Sequence, residues 1–319
     1  MKNRHLIKAV TSEVEKVIIG KNEIVELVMM AILAGGHILI EDIPGVGKTT
    51  LALAFSRAMF LEGKRMQFTT DVLPTDVTGF SVYNKARGEF EYKPGVAMCN
   101  IFLADEINRT SPKTQSALLE VMEEGKITVD GVTHAVPQPF IVIATQNPIG
   151  SAGTHPLPES QLDRFMIRIT MGYPESKDEV DMLRTRWANN GISGVKSVMD
   201  QEKLIELQRA AEKVFLDEKI MNYIVKLVNL TRRHPLVRLG LSPRATLALG
   251  AAARAWAFSQ GRDYVIPEDV QLVFSPVANH RLILEPRAKI NETTVADIIP
   301  EILHQAGMAQ LANSRVVSK

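Results

Sequence analysis

The hydrophobic positions of this chain change character near Gly172-Tyr173-Pro174. Before that point, short and continuously apolar runs alternate with stretches of helical period. His37–Glu41, Met66–Thr69, Ile101–Ala104, Phe140–Ala144 and Phe165–Thr170 read as five strands. Runs without polar alternation suit strands buried on both faces of a mostly parallel sheet. Val10–Leu33 reads as helical with a turn at Gly20, and Thr49–Met59 and Lys113–Glu123 read as further helices. Two alternating pairs flank Gly-containing turns: Gly79–Asn84 with Glu89–Tyr92, and Lys126–Val129 with Val132–Val136. They predict two inserted hairpins.

Beyond Pro174 only helical periodicity remains. Ser176-x-x-Glu179 is a capping box that opens a helix to about Ala188, stopped by Asn189-Asn190-Gly191. Gln201–Val214, Glu218–Arg233, Ser242–Gln260, Pro267–Leu282 and a segment near Thr294–Gln310 follow. The expected fold is α/β. A parallel five-stranded sheet with helices on both faces occupies 1–174, and a linker helix and an all-helical domain occupy 175–319.

Composition narrows the function classes. With 45% apolar and 23% charged residues, the 319-residue chain can bury a full core, which excludes disorder as its main state. The lone Cys99 excludes an internal disulfide and fits a reducing compartment. Lys+Arg minus Asp+Glu is 37 − 36 = +1, so overall charge argues for neither nucleic acid nor membrane. The longest run free of polar side chains, Leu27–Gly36, is too short to span a bilayer. No signal-length apolar stretch follows the basic start, and the expected address is the cytoplasm. The seven histidines show no zinc-ligand spacing.

Chemistry concentrates at two strand ends. Asp42-Ile-Pro-Gly45-Val-Gly47-Lys48-Thr49 lies between a buried strand and a helix, the context of a phosphate-binding loop. Loop N–H groups and the helix start would hold phosphate oxygens, Lys48 would reach the β- and γ-phosphates, and Thr49 would ligate Mg²⁺. Asp42 departs from the template, which wants Gly there. The alternative is an ordinary strand–helix turn. Ile101–Ala104 ends in Asp105-Glu106. In this setting Asp105 would order Mg²⁺ and Glu106 would polarise an attacking water. Neighbouring strand ends would bring Asp105 to Lys48 and Thr49. The alternative is a helix-capping pair. A GTPase is excluded because Asn84-Lys85-Ala86-Arg87 lacks the Asp of a guanine motif.

The chain resembles the MoxR-type AAA+ ATPases over nearly its whole length. The motifs are Glu41–Thr49, Leu103–Arg109, Lys113–Glu120, Ala144–Pro148, Leu157–Phe165 and Leu241–Ala245. The resemblance implies the P-loop NTPase (AAA+) fold with a helical lid, ATP and Mg²⁺, and a homo-oligomeric ring, expected to be a hexamer. Asn147 matches a sensor positioning water, or else an Asn-Pro turn. Arg164 matches an arginine finger acting on a neighbouring subunit, or else pairs with Asp163 or Glu159. Arg168 is the substitute candidate. Arg244 matches a lid residue touching nucleotide in its own chain, or else a solvent-facing arginine. Ile19-Gly20 resembles the adenine-packing segment, or is a helix-breaking turn. The candidate nucleotide contacts are thus Ile19, Gly20, Pro44, Gly45, Val46, Gly47, Lys48, Thr49 and Thr50, with Thr49 and Asp105 for the metal. Glu106, Lys48, Asn147, Arg164 and Arg244 are the catalytic candidates.

Similar proteins remodel or activate partner proteins, often with a separate von Willebrand A-type protein. No Asp-x-Ser-x-Ser motif occurs here, so such a partner would be another polypeptide. The hairpins could face a ring pore, and Tyr83, Phe90 and Tyr92 could meet a client or simply pack on their cross-strand neighbours. Two other readings stand beside this one. One is a nucleic-acid-dependent ring motor of helicase or branch-migration type, against which the neutral charge weighs. The other is a nucleotide-operated binding module, for which Glu106 would be superfluous.

Overall fold

The computed structural model describes residues 2–43, 45–147, 154–188 and 191–307. Helices α1 (Lys2–Glu15) and α2 (Asn22–Leu33) come first, so the opening helix begins eight residues before the expected Val10. Next come β1 (Ile38–Glu41), α3 (Lys48–Ala58), β2 (Gly63–Gln67), α4 (Pro74–Thr78) and the hairpin β3 (Gly79–Asn84)–β4 (Glu89–Pro94). After β5 (Ile101–Asp105) and α5 (Pro112–Glu124) comes the second hairpin, β6 (Lys126–Val129)–β7 (Val132–Ala135). β8 (Ile141–Gln146), α6 (Glu159–Leu162) and β9 (Ile167–Ile169) complete the α/β half.

Five parallel strands form one sheet in the order β2-β5-β8-β1-β9. Successive side chains of a strand point to opposite faces, so each apolar run feeds two cores. Ile38, Ile40, Leu103, Ile143 and Ile167 join one, with α1–α3 and the C-terminal helices. Leu39, Phe102, Ala104, Val142 and Ala144 join the other, beneath Leu118, Leu119 and Phe165. This double burial is why the strands lack polar alternation. Edge strand β2 is the exception: only every second residue is even half-buried, and it starts three residues before the expected Met66.

The C-terminal half contains α7 (Ser176–Ala188), α8 (Gln201–Glu212), α9 (Glu218–Arg233), α10 (Pro243–Ser259), α11 (Pro267–Ala278), α12 (Pro286–Ile290) and α13 (Val295–Ala306). A short antiparallel ribbon, β10 (Val237–Leu239) with β11 (Ile283–Leu284), adds to the expected helices. Strands of three and two residues are too short to show a period. Caps set the helix starts. Asp200 accepts from Lys203 N at 2.8 Å, and Ser242 accepts from Ala245 N at 3.1 Å with Pro243 behind it. α9 ends on Arg232-Arg233, whose charges complement the helix dipole.

In the hairpins Tyr83 and Phe90 are cross-strand neighbours with ring centroids 5.4 Å apart, so they do pack on each other. Tyr92 stacks on His134 at 3.9 Å and joins the two hairpins. Among the described residues no helix is long and apolar enough to cross a membrane.

Candidate nucleotide site

β1 delivers the chain to the carboxyl edge of the sheet, where the loop before α3 begins. Gly45 (φ +90°) and Gly47 (φ +98°) take left-handed conformations that side chains disfavour, which explains both glycines. Pro44 lies outside the described residues. Val46 packs its side chain on the core, leaving its main chain as its contribution to the loop. Asp42, the departure from the template, is buried and accepts three backbone N–H groups. These are Ile43 N at 2.8 Å, Met171 N at 2.5 Å and Gly172 N at 2.7 Å. A glycine there would leave these donors unmatched. The carboxylate fastens the loop to the chain leaving β9.

Lys48 donates to the Asp42 and Ile43 carbonyls at 2.8 and 3.2 Å. Burial lowers its pKa, and Asp105, Asp42 and Glu106 counteract that by favouring the ammonium. A cleft of about 380 Å³ brings together Gly45, Gly47, Lys48, Thr49 and Thr50 with Asp105 and Glu106. Two arms predicted ~60 residues apart therefore meet. They do so differently from the expectation of neighbouring strands: β8 lies between β1 and β5, about 10 Å across two strand spacings.

That intervening strand supplies a residue that sequence reasoning missed. Thr145 on β8 is fully buried, donates to Asp105 Oδ1 at 2.6 Å and accepts from Glu106 N at 2.9 Å. It fixes the orientation of one acid and the backbone of the other. Glu106 itself is left-handed (φ 56°, ψ 50°), a strained conformation for a residue with a side chain, and its carboxylate pairs with Arg109 at 2.8 Å. Arg65 and Gln67 on β2 also line the cleft, and Arg65 lies 2.8 Å from Asp105 Oδ2. The reading of β2 as starting at Met66 hid Arg65. Thr49 hydroxyl and Asp105 carboxylate are hard oxygen donors, the set that suits Mg²⁺.

Ile18 rather than Ile19 is the buried residue of the α1–α2 turn, and with Met171 it lies about 3.9 Å from the Cβ position at Gly47. Ile19 is half-buried beside it. Gly20 (φ +74°) takes a left-handed conformation that a side chain disfavours, and the Asp178 carboxylate of α7 lies against it. Ile19-Gly20 thus forms a tight turn that lies against the phosphate loop through Ile18. Asn147 directly follows β8, and its carbonyl accepts from Asn108 Nδ2 at 3.3 Å.

The arginines divide. Arg168 is committed to its own chain. It meets Glu41 at 2.7 Å and the Asn279 carbonyl at 2.8 Å, which ties β9 and β1 to the end of α11. Arg164 pairs with Glu123 at 2.9 Å, and not with Asp163 or Glu159. Arg244 also pairs with Glu123. They border a cleft of about 350 Å³ with Gly36 and His37, residues that precede β1. This is the amino edge of the sheet, and the phosphate loop is at the carboxyl edge, about 13 Å away along the strand. Arg244 is expected to touch its own chain's nucleotide; in the structure α10 holds it at this amino edge, beside Glu123 and away from the phosphate loop. Its side chain is exposed to solvent and ends on Glu123.

Residues 37–167 match the family described as "ATPase family associated with various cellular activities (AAA)", and residues 229–302 match the AAA lid domain. The chain is 49% identical over 298 residues to "Uncharacterized protein YeaC" of Bacillus subtilis, with 93% of each chain covered. It is 38% identical to "Chaperone MoxR1" of Mycobacterium tuberculosis, covering 96% of this chain and 83% of that one. A crystal structure of a protein from Cytophaga hutchinsonii superposes with a TM-score of 0.88 at 38% identity, over 95% of this chain and 94% of that one. With a phosphate loop, a paired-acid strand and a lid in this arrangement, the chain belongs to the MoxR-type AAA+ ATPases.

Proposed function

We propose that this chain hydrolyses ATP as one subunit of a homo-oligomeric ring, with a hexamer the expected size, and uses the cycle to remodel partner proteins. One observation carries this reading. Lys48, Thr49, Asp105 and Glu106 share a cleft at one edge of the sheet, while Arg164 and Arg244 gather at the other. Each half is incomplete, and a second copy placed head to tail would complete it.

The loop N–H groups and Lys48 hold the β- and γ-phosphates. Mg²⁺, held by Thr49 and Asp105, would supply charge neutralisation to the phosphate oxygens. Glu106 accepts a proton from water as the water oxygen bonds to the γ-phosphorus. The bond to the bridging oxygen breaks and ADP leaves. Thr145 keeps Asp105 and the Glu106 backbone in register during this step, and Asn147 orients the water. Arg164 and Arg244 act on the triphosphate of the neighbouring copy.

A relative named as a chaperone supports a protein client, and a von Willebrand A-type protein would be a separate polypeptide. The near-zero net charge weighs against the nucleic-acid motor. The test is ATPase activity across dilution. Specific activity should fall as rings dissociate, and Glu106→Gln should bind ATP without turning it over. Activity unchanged in a monomeric sample would contradict the ring, and full activity of Glu106→Gln would contradict the role of the base.

A further inference from the structure

Arg164 and Arg244 come from different parts of the chain and from different motifs. Arg164 precedes β9 in the α/β half, and Arg244 sits in the first turn of α10 in the lid. Both guanidiniums end on one carboxylate, that of Glu123 near the C-terminus of α5. Nothing in the sequence singles this residue out.

The surroundings are built to hold that arrangement. Asp163, next to Arg164, accepts from Ser242 Oγ at 2.7 Å, so the two arginine-bearing segments are tied to each other as well. Arg281 is buried beneath them. It donates to Asp163 Oδ1 at 2.6 Å and to the Phe165 and Met166 carbonyls at 2.6 and 3.0 Å. His37, in the lining of the same cleft, accepts from Val142 N at 3.0 Å and meets the Met122 carbonyl at 3.0 Å, which anchors the residue before Glu123. The charges of Arg164, Arg244, Arg281, Asp163 and Glu123 sum to 3 − 2 = +1. Without Glu123 two guanidiniums would be confined side by side with no anion between them. Long arginine side chains then separate into solvent, since like charges repel and the chains regain rotamer freedom.

We propose that Glu123 is a positioning residue: it bridges Arg164 and Arg244 across the two domains and so presents them as one unit to the triphosphate of a neighbouring copy. This rests on the reading that both arginines act in trans. The bridge to Glu123 uses one terminal nitrogen, Nη2, of each guanidinium. A guanidinium carries five N–H donors, so each arginine keeps others for phosphate oxygens. Because one arm of the bridge belongs to the lid, lid orientation sets whether the pair is intact.

Mixed rings test this. Glu106→Gln chains lack the base but offer intact arginines, and Arg164→Ala chains have an intact cleft but no finger. Mixed, they should regain turnover that neither shows alone. If they do not, the trans reading fails, and the role of Glu123 with it. If they do, the Arg164→Ala chain is next mixed with the double variant Glu106→Gln/Glu123→Ala. Regained turnover should fall roughly 10- to 100-fold, the penalty of misplaced catalytic groups. Equal recovery would overturn the positioning role while leaving the trans reading intact.

Two further readouts separate positioning from assembly and folding. Glu123→Ala should bind MgATP with unchanged affinity and sediment with its partners as the unmodified chain does. In steady state kcat should fall with little change in KM, and Glu123→Asp should recover part of the loss. Loss of co-sedimentation would make Glu123 an interface residue and overturn the proposal.

Discussion

The Asp42 carboxylate accepts the Gly172 N–H at 2.7 Å and joins the phosphate loop to the point where the chain leaves the sheet for α7. The same carboxylate serves Met171 N and Ile43 N, and its own carbonyl holds Lys48. Asp42→Ala should therefore destabilise the fold by about 2 kcal/mol or more, because buried N–H groups lose their acceptor. Asp42→Gly should lose about as much, although it restores the residue that the phosphate-loop template prefers. Urea unfolding of both variants is the check. A stable Asp42→Gly would mean that the carboxylate is incidental.

Thr145 connects both acids of β5. Thr145→Val keeps the shape and removes the hydroxyl, so Asp105 Oδ1 and Glu106 N each lose a partner. Turnover should drop roughly 10- to 100-fold as the acids lose their orientation. Nucleotide affinity, which rests mainly on the loop, should change little. Single-turnover kinetics alongside equilibrium binding separates the two.

Arg244 gives a sharp contrast between cis and trans action. If it serves a neighbour, Arg244→Ala should leave the MgATP affinity of the isolated chain intact. Its turnover should fall on the order of 10³-fold, the lower range for an arginine supplied from outside. If it touched its own nucleotide, affinity would fall in the monomer too. Fluorescent-nucleotide titration at a concentration that disfavours assembly decides between them.

His37 predicts how stability depends on pH. Desolvation of the partly buried ring lowers its pKa to about 4, with the bond to the Met122 carbonyl opposing the shift only in part. Nδ1 accepts from Val142 N, so the neutral ring carries its proton on Nε2. In the unfolded chain a histidine takes up a proton near pH 6.5, whereas the folded form resists until about 4. The unfolded state thus binds more protons in this window, and stability falls as pH drops from about 6.5 to 4. His280, buried and lowered in the same direction, adds to the effect. His37→Gln should flatten the decline, as urea midpoints at pH 7.5 and 5.0 would show.

Most of the α/β half was legible because its strands are buried on both faces. Ile38–Ile40 and Ile101–Ala104 are apolar at every position, and the phosphate loop and Asp105-Glu106 lie directly at their ends. Edge strand β2 faces its core only through alternate, half-buried residues, so its start was misplaced and Arg65 went unnoticed. Thr145 could be read as part of a motif, but its contacts depend on β8 lying between β1 and β5, and strand order is not written in local pattern. The same holds for Arg244. Its motif was clear, but the side of the sheet it reaches is set by how α10 packs on α2 and α8. Glu123 carried no signal at all, because its meaning comes from two arginines more than 40 residues further along the chain.

The central claim is that the loop ending at Thr49 and the acids at the end of β5 hold the same magnesium–triphosphate. Isothermal calorimetry tests it most directly, with ATP titrated into the intact chain, into Lys48→Ala and into Asp105→Asn, each with and without Mg²⁺. The account predicts one site per chain whose affinity depends on Mg²⁺. Lys48→Ala should abolish that binding, and Asp105→Asn should remove its Mg²⁺ dependence. No heat of binding in the intact chain, or an Asp105→Asn chain that responds to Mg²⁺ as the intact one does, would contradict it.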